Sequence, residues 1–181
     1  MPRTKLITAK SDLAPEHQAA ADAVLKIFGH IRGPFSVLLH SPVLAERLAP
    51  MVGFVRDDTI VEPNLRFVAI LAAARECDAP YVWAAQVAQA RKHKIRENLI
   101  DHIRAQGDPE KLPAEERDVM NYTLQIVRTH KADKALFDTL CNRHGVQWLV
   151  ELTATLNFFA FVSGIANAFE VDVPADGDPI R

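Results

Sequence analysis

Cysteine is scarce in this chain: Cys77 and Cys141 are its only two in 181 residues, and they lie far apart. No CxxC pair is present, which removes the usual dithiol redox motif and the cysteine-based metal claws. Two distant cysteines in a protein expected to be cytoplasmic are expected to stay as separate thiols rather than form a disulfide. That localisation is itself the expectation raised by MPRTKLITAKSD, which has no hydrophobic core of signal-peptide length. Charge of one sign is also lacking. With Lys+Arg 21 against Asp+Glu 23, the formal net charge is -2. Nothing long-range therefore draws the protein to nucleic acid or an anionic membrane, and neither is expected as a partner. No uninterrupted apolar run reaches the roughly 20 residues of a bilayer span. The period-two alternation of a strand between turns is missing too, and the histidines, His93 and His102 included, lack metal-ligand spacing, so neither metal nor cofactor is expected.

What is present is helical patterning, concentrated in FVAILAAARECDAPYVWAAQVAQAR at 67–91. Phe67 to Ala74 is apolar at every position, which predicts a helix buried on all sides. Cys77-Asp78-Ala79-Pro80 breaks it. A second helix then starts with a proline suited to a first turn. Alanines at 84, 85, 88 and 90 let another helix approach closely, and Tyr81 and Trp83 set aromatic bulk beside the break. Any pocket is expected at this break.

Around this core the sequence predicts an all-α, single-domain protein of about seven or eight helices over 1–181, with an N-terminal arm at 1–10 and an irregular tail at 171–181. The arm is expected to be extended, packing on a neighbour or mobile. Ser11 or Asp12 is expected to cap a helix running through Pro15 to about Phe28. Ser41-Pro42 opens the next helix, in which Pro50 should impose a kink or delay regular winding. A short helix over 96–105 follows the core pair. Another begins after Pro113 with Glu115 and Glu116 in its first turn. A third runs from Ala135 to His144, where Gly145 stops it. The last, from Val146 to about Phe169, is the most hydrophobic. Two nearly all-apolar helices exceed what one layer can cover, which predicts a homo-oligomer.

Three blocks, LLHSPVLAERL at 38–48, LRFVAILAAARECDAPYVWAAQVAQARK at 65–92 and HGVQWLVELTATLNFFAFVSGIANAFEVDVP at 144–174, resemble the carboxymuconolactone decarboxylase family, which includes the AhpD-like alkylhydroperoxidases. The resemblance implies an all-helical, AhpD-like fold assembling into dimers, trimers or hexamers, with active sites near subunit interfaces. In the AhpD-like branch a glutamate precedes a CxxCxxxH motif by about three helical turns, and offsets of three and seven bring the motif residues to one helix face. Two such thiols cycle between dithiol and disulfide while the histidine and glutamate relay protons. Laid on that motif, this chain has Ala79 and Val82 at the cysteines, Gln86 at the histidine and Phe67 at the glutamate. Relatives without the CxxC read YEWAAH and keep a Glu and a His; this chain reads YVWAAQ. AhpD-type hydroperoxidase chemistry is not expected.

The remaining candidates each carry two readings. His40, just before the Ser41-Pro42 helix start, suits a general acid or base, or simply bonds its loop. Glu76 can act as a buried acid with raised pKa, or pair with Arg75 or Arg66. Cys77 reads as an inert thiol more readily than as a nucleophile, because no neighbouring cation lowers its pKa. Tyr81 and Trp83 can line a pocket for a ring or lactone, or only pack. Gln86 can orient a carboxylate or a water, and on an alanine-rich inner face it needs some partner. The run Arg91 to Arg96 reads as a solvated helix end rather than an anion patch. As an enzyme, the protein would be a cofactor-independent decarboxylase or related lyase acting on a small lactone or carboxylic acid in aromatic-compound catabolism. His40, Gln86 and Tyr81 would then be catalytic, and Trp83, Glu76, Cys77 and Phe67 would contact the substrate. The alternative is a non-catalytic paralogue that binds a ligand or serves as a scaffold.

Overall fold

Prolines open four of the nine α-helices. In the computed structural model, which describes Met1–Arg181, α2 (Pro34–Leu38), α3 (Pro42–Gly53), α4 (Pro63–Glu76) and α5 (Pro80–Lys92) all begin at a proline. The missing N–H of proline costs nothing in a first turn, whose donors have no intrahelical acceptor. With α1 (Gln18–Phe28), α6 (Glu97–Arg104), α7 (Ala114–Thr129), α8 (Lys134–His144) and α9 (Val146–Ala168), the chain has nine α-helices and no strand. The all-α expectation holds, and the helix beyond the seven or eight expected is α2. Its five residues are all buried, too short a segment for helical periodicity to declare itself.

The chain groups into two compact units, one of Met1–Thr59 with Gly164–Asp172 and one of Ile60–Ser163 with Val173–Arg181. In the first unit, α1 packs on α3. The α1 helix starts later than expected, at Gln18. Before it come two short 3-10 turns, and Asp12 does not cap the helix: its carboxylate accepts from the backbone N–H groups of Thr8 and Ala9 instead. Gly29 ends α1 in a left-handed conformation at φ 72°, where a side chain would be strained. Helix α3 runs through Pro50 to Gly53 and closes in one π turn, Phe54–Asp58. The arm is bonded within its own unit. Arg3 and Ile7 donate their backbone N–H groups to the carbonyls of Phe169 and Ser36 at 3.0 and 2.9 Å, and Ile7 is buried.

The second unit is built around α4. Every residue from Leu65 to Ala74 is buried, as the unbroken apolar run predicts, and α4 packs on α5, α6 and α7. Its end is made by local geometry. Asp78 takes a left-handed conformation (φ 46°), the Ala79 N–H reaches back to the Ala74 carbonyl, and Pro80 restarts the helix. Helix α9 has 23 residues, and an 18-residue window of it has mean hydropathy 1.6, apolar enough by length and composition to cross a membrane; 56% of that window is buried inside the fold, as in a core helix. Polar residues scattered along it had kept any single apolar run short.

The tail at 173–181 is irregular, as expected, but tied down within the second unit. Asp178 pairs with Arg91 at 2.7 Å and with Arg104, Arg181 pairs with Asp78, and the Pro179 carbonyl accepts from the Trp83 indole N–H at 3.1 Å. Ile180 is buried. A side chain at Gly177 would run into Val173 and the Pro174 carbonyl, so glycine there lets the tail fold on itself.

Candidate functional site

The break between α4 and α5 belongs wholly to the second unit, and so do six of the seven residues singled out from the sequence. Phe67 is completely buried on α4. Its ring lies 5.2 Å from the His93 imidazole and has the Arg66 guanidinium 5.8 Å from its centroid. Aromatic and cationic groups, not a carboxylate, thus fill the place of the relatives' glutamate. Ala79 and Val82, at the two cysteine positions, are also buried. Trp83 is fully buried beneath the tail, with Arg104 over its ring at 5.7 Å. Tyr81 lies half-buried two residues before it.

Gln86 is half-buried on α5, and its Oε1 is inaccessible and accepts no hydrogen bond. A buried amide oxygen left without a donor loses its hydration with nothing in return, a cost of about 1–3 kcal/mol. It is the one polar atom at the relatives' motif positions that is still unsatisfied.

Glu76 and Cys77 end α4. The Glu76 partner is neither Arg75 nor Arg66 but Arg128 of α7, which donates Nε and Nη2 to the two carboxylate oxygens at 2.7 and 2.8 Å. A partner fifty-two residues away could not be read from spacing along one helix. Burial pushes the Cys77 thiol up from its ordinary value, and the Glu76 carboxylate adds to the effect. The thiolate needed for nucleophilic or redox chemistry is disfavoured accordingly. His40 belongs to the first unit, where its Nε2 donates to the Lys5 carbonyl at 2.7 Å and helps hold the arm.

A cleft of about 280 Å³ lies between α4, α6, α7 and the loop around Gly107. Glu76 lines it; Phe67, Cys77, Tyr81, Trp83 and Gln86 do not. No group of three or more His, Cys, Asp or Glu side chains is placed to hold a metal ion.

Sequence reasoning missed two buried carboxylates on α7. Glu116 is 4% exposed, accepting from both Nη atoms of Arg96 and from the Asn64 amide. Asp118, 6% exposed, accepts from Arg117 and Arg143 at 3.0 Å. The signal was there for Glu116, since its spacing of three and four to Val119 and Met120 puts it on the apolar stripe of α7. The cationic run is likewise structural in part. Arg91 pairs with Glu97 and Asp178, and Arg96 with Glu116.

Nothing matches this chain among family profiles or curated proteins. Solved structures do share its fold. The AhpD core of an uncharacterized peroxidase-related protein from Ralstonia eutropha JMP134 superposes with a TM-score of 0.74 at 16% identity, over 96% of this chain and 95% of that one. A variant of the debrominase Bmp8, in complex with 2,3,4-tribromopyrrole, gives a TM-score of 0.74 at 15% identity, over 97% and 95%. These likenesses define an all-helical protein with the AhpD-like fold.

Proposed function

We propose that this protein uses the AhpD-like fold to bind a small aromatic or heteroaromatic molecule and does not carry out thiol redox chemistry. The observation behind this reading is Gln86 Oε1, a buried acceptor with no donor, among apolar replacements at every other motif position. A ligand that parts the packing over Gln86 and brings an N–H or O–H on an apolar ring, such as a pyrrole or a phenol, would satisfy it. A structural neighbour, Bmp8, was solved with a brominated pyrrole.

Phenol and its O-methyl ether, anisole, separate the donor from the ring. Calorimetric titration is expected to show phenol binding about tenfold more tightly than anisole, a difference of about 1.4 kcal/mol. Gln86→Leu should abolish that preference while leaving the melting temperature unchanged or raised. Equal binding of the two probes to the wild type, or an undiminished preference in the variant, would remove Gln86 from the site. The catalytic form of the reading is a cofactor-independent lyase acting on a small lactone or carboxylic acid, with Tyr81 the acid nearest Gln86 in sequence. Loss of the ultraviolet absorbance of a carboxymuconolactone, dependent on Tyr81, would establish it over simple binding.

The same reading takes the protein to be a homo-oligomer. Val146, Val150 and Phe161 on α9 are 65%, 60% and 42% exposed, and Phe137 of α8 adds to an apolar groove there. Thr153, Ala154 and Asn157 lie between them, so the face carries no charge and has small residues for close approach. Two copies related by a two-fold axis can bury such a face against itself. Light scattering is expected to show a dimer or larger species at micromolar concentration, and Val150→Glu a shift towards monomer. A monomeric wild type would refute this part.

A further inference from the structure

Arg75, in the last turn of α4, is held by two hydrogen bonds and one longer ion pair. Its Nε donates to the Arg104 carbonyl at 2.8 Å and its Nη2 to the Gln106 amide oxygen at 3.3 Å. The side chain is only 14% exposed, and the carboxylate paired with its Nη1, Asp78, stands 3.9 Å away. That is beyond hydrogen-bonding reach, and Asp78 is already engaged by Arg181. The guanidinium therefore has a set orientation and an edge without a hydrogen-bonded acceptor, which spares a ligand the cost of ordering it.

Arg75 lines the cleft between α4, α6 and α7. The apolar part of that lining is Ala72, Ile103, Met120 and Leu124, of which the first three are buried. Glu76 and Arg128, also on its wall, cancel each other as a bidentate pair.

We propose that this cleft binds a small organic carboxylate, with the carboxylate on Nη1 of Arg75 and an apolar body against Ala72, Ile103 and Met120. One guanidinium edge matches the planar, singly charged carboxylate. A phosphate would call for more donors than that edge offers, and Asp108 of the lining and Asp78, 3.9 Å from Nη1, oppose a dianion more strongly than a monoanion. The volume, at the low end of ligand pockets, suits one aromatic ring or a short alkyl chain. None of the residues of the α5 ring site lines this cleft, so the two proposals fail separately.

The test is titration of the full chain with benzoate and hexanoate, followed by methyl NMR at Ile103 and Met120. Benzyl alcohol, which lacks the charge, and inorganic phosphate, which lacks the apolar body, are the controls. Benzoate and hexanoate should shift both methyl signals saturably, with each control at least about tenfold weaker. Arg75→Met should weaken benzoate about tenfold or more, and Arg75→Lys less, because lysine keeps the charge but not the fork. Arg75 also braces the turn at Arg104, so Leu124→Trp supplies a second check by filling the cleft from α7; it too should abolish benzoate binding. Absence of saturable shifts up to about 10 mM benzoate, phosphate binding as well as benzoate, or unweakened benzoate binding in either Arg75→Met or Leu124→Trp would each overturn the proposal.

Discussion

Phe67→Ala is expected to cost about 3–5 kcal/mol of stability, lowering the melting temperature by about 6–20 °C in a chain of this size. The side chain is completely buried on a helix with no exposed residue from Leu65 to Ala74. Its removal takes away transfer free energy and leaves a cavity beside the His93 ring. Helices α5, α6 and α7 all pack on α4, so they cannot close on the void without moving one another. Phe67→Glu, which installs the relatives' residue, should be worse still, because it buries a charge among apolar neighbours. Chemical denaturation measures both. A loss under about 1 kcal/mol for the alanine variant would show a core far more adaptable than close packing allows.

The second large effect is Arg96→Ala, and it should depend on pH. In the folded protein burial alone would raise the Glu116 carboxyl, but hydrogen bonds from Arg96 and Asn64, with the Arg96 charge, outweigh it and hold the group below its ordinary value of 4.5. A depressed folded value means that the pair stabilises fully above the unfolded value and loses its contribution as pH falls through the folded one. Without Arg96 the carboxylate stays buried with Asn64 alone, and burial then raises its pKa. Breaking a buried pair costs about 3–5 kcal/mol. Arg96 is 40% exposed, so about 2–3 kcal/mol is expected at pH 7 after allowing for solvent screening. The gap from wild type should begin to narrow as pH falls through the variant's raised carboxyl value, above 4.5, and go on narrowing as pH falls through the wild type's depressed one. An equal gap at pH 7 and pH 4 would mean that Arg96 acts through packing and not through its charge.

The fold was legible where one local rule governed an element. The apolar run of α4, Pro80 at the start of α5 and Gly145 after α8 each determine their own backbone, and each appears as expected. Features set by distant partners were not legible. The Arg128 partner of Glu76, the Asp178 clamp on Arg91 and Arg104, and the arm's bonds to Ser36 and Phe169 join residues that no periodicity connects. At the site, the sequence showed which reactive groups were replaced, because a motif is a local pattern. It identified Gln86 as a residue needing a partner, but only three-dimensional packing shows that its Oε1 has none. The carboxylate cleft escaped sequence reasoning altogether, since α4, α6 and α7 come together there only on folding.

The central claim is that the α4–α5 wall binds but does not reduce. Its most direct test is hydroperoxide turnover by the fully reduced protein with excess dithiol, alongside Cys77→Ser. With apolar residues at both motif cysteine positions and the Cys77 thiol pushed up by burial and by Glu76, consumption of cumene hydroperoxide is expected to stay at the rate of dithiol alone in both proteins. Steady turnover by the wild type, lost in Cys77→Ser, would contradict the account.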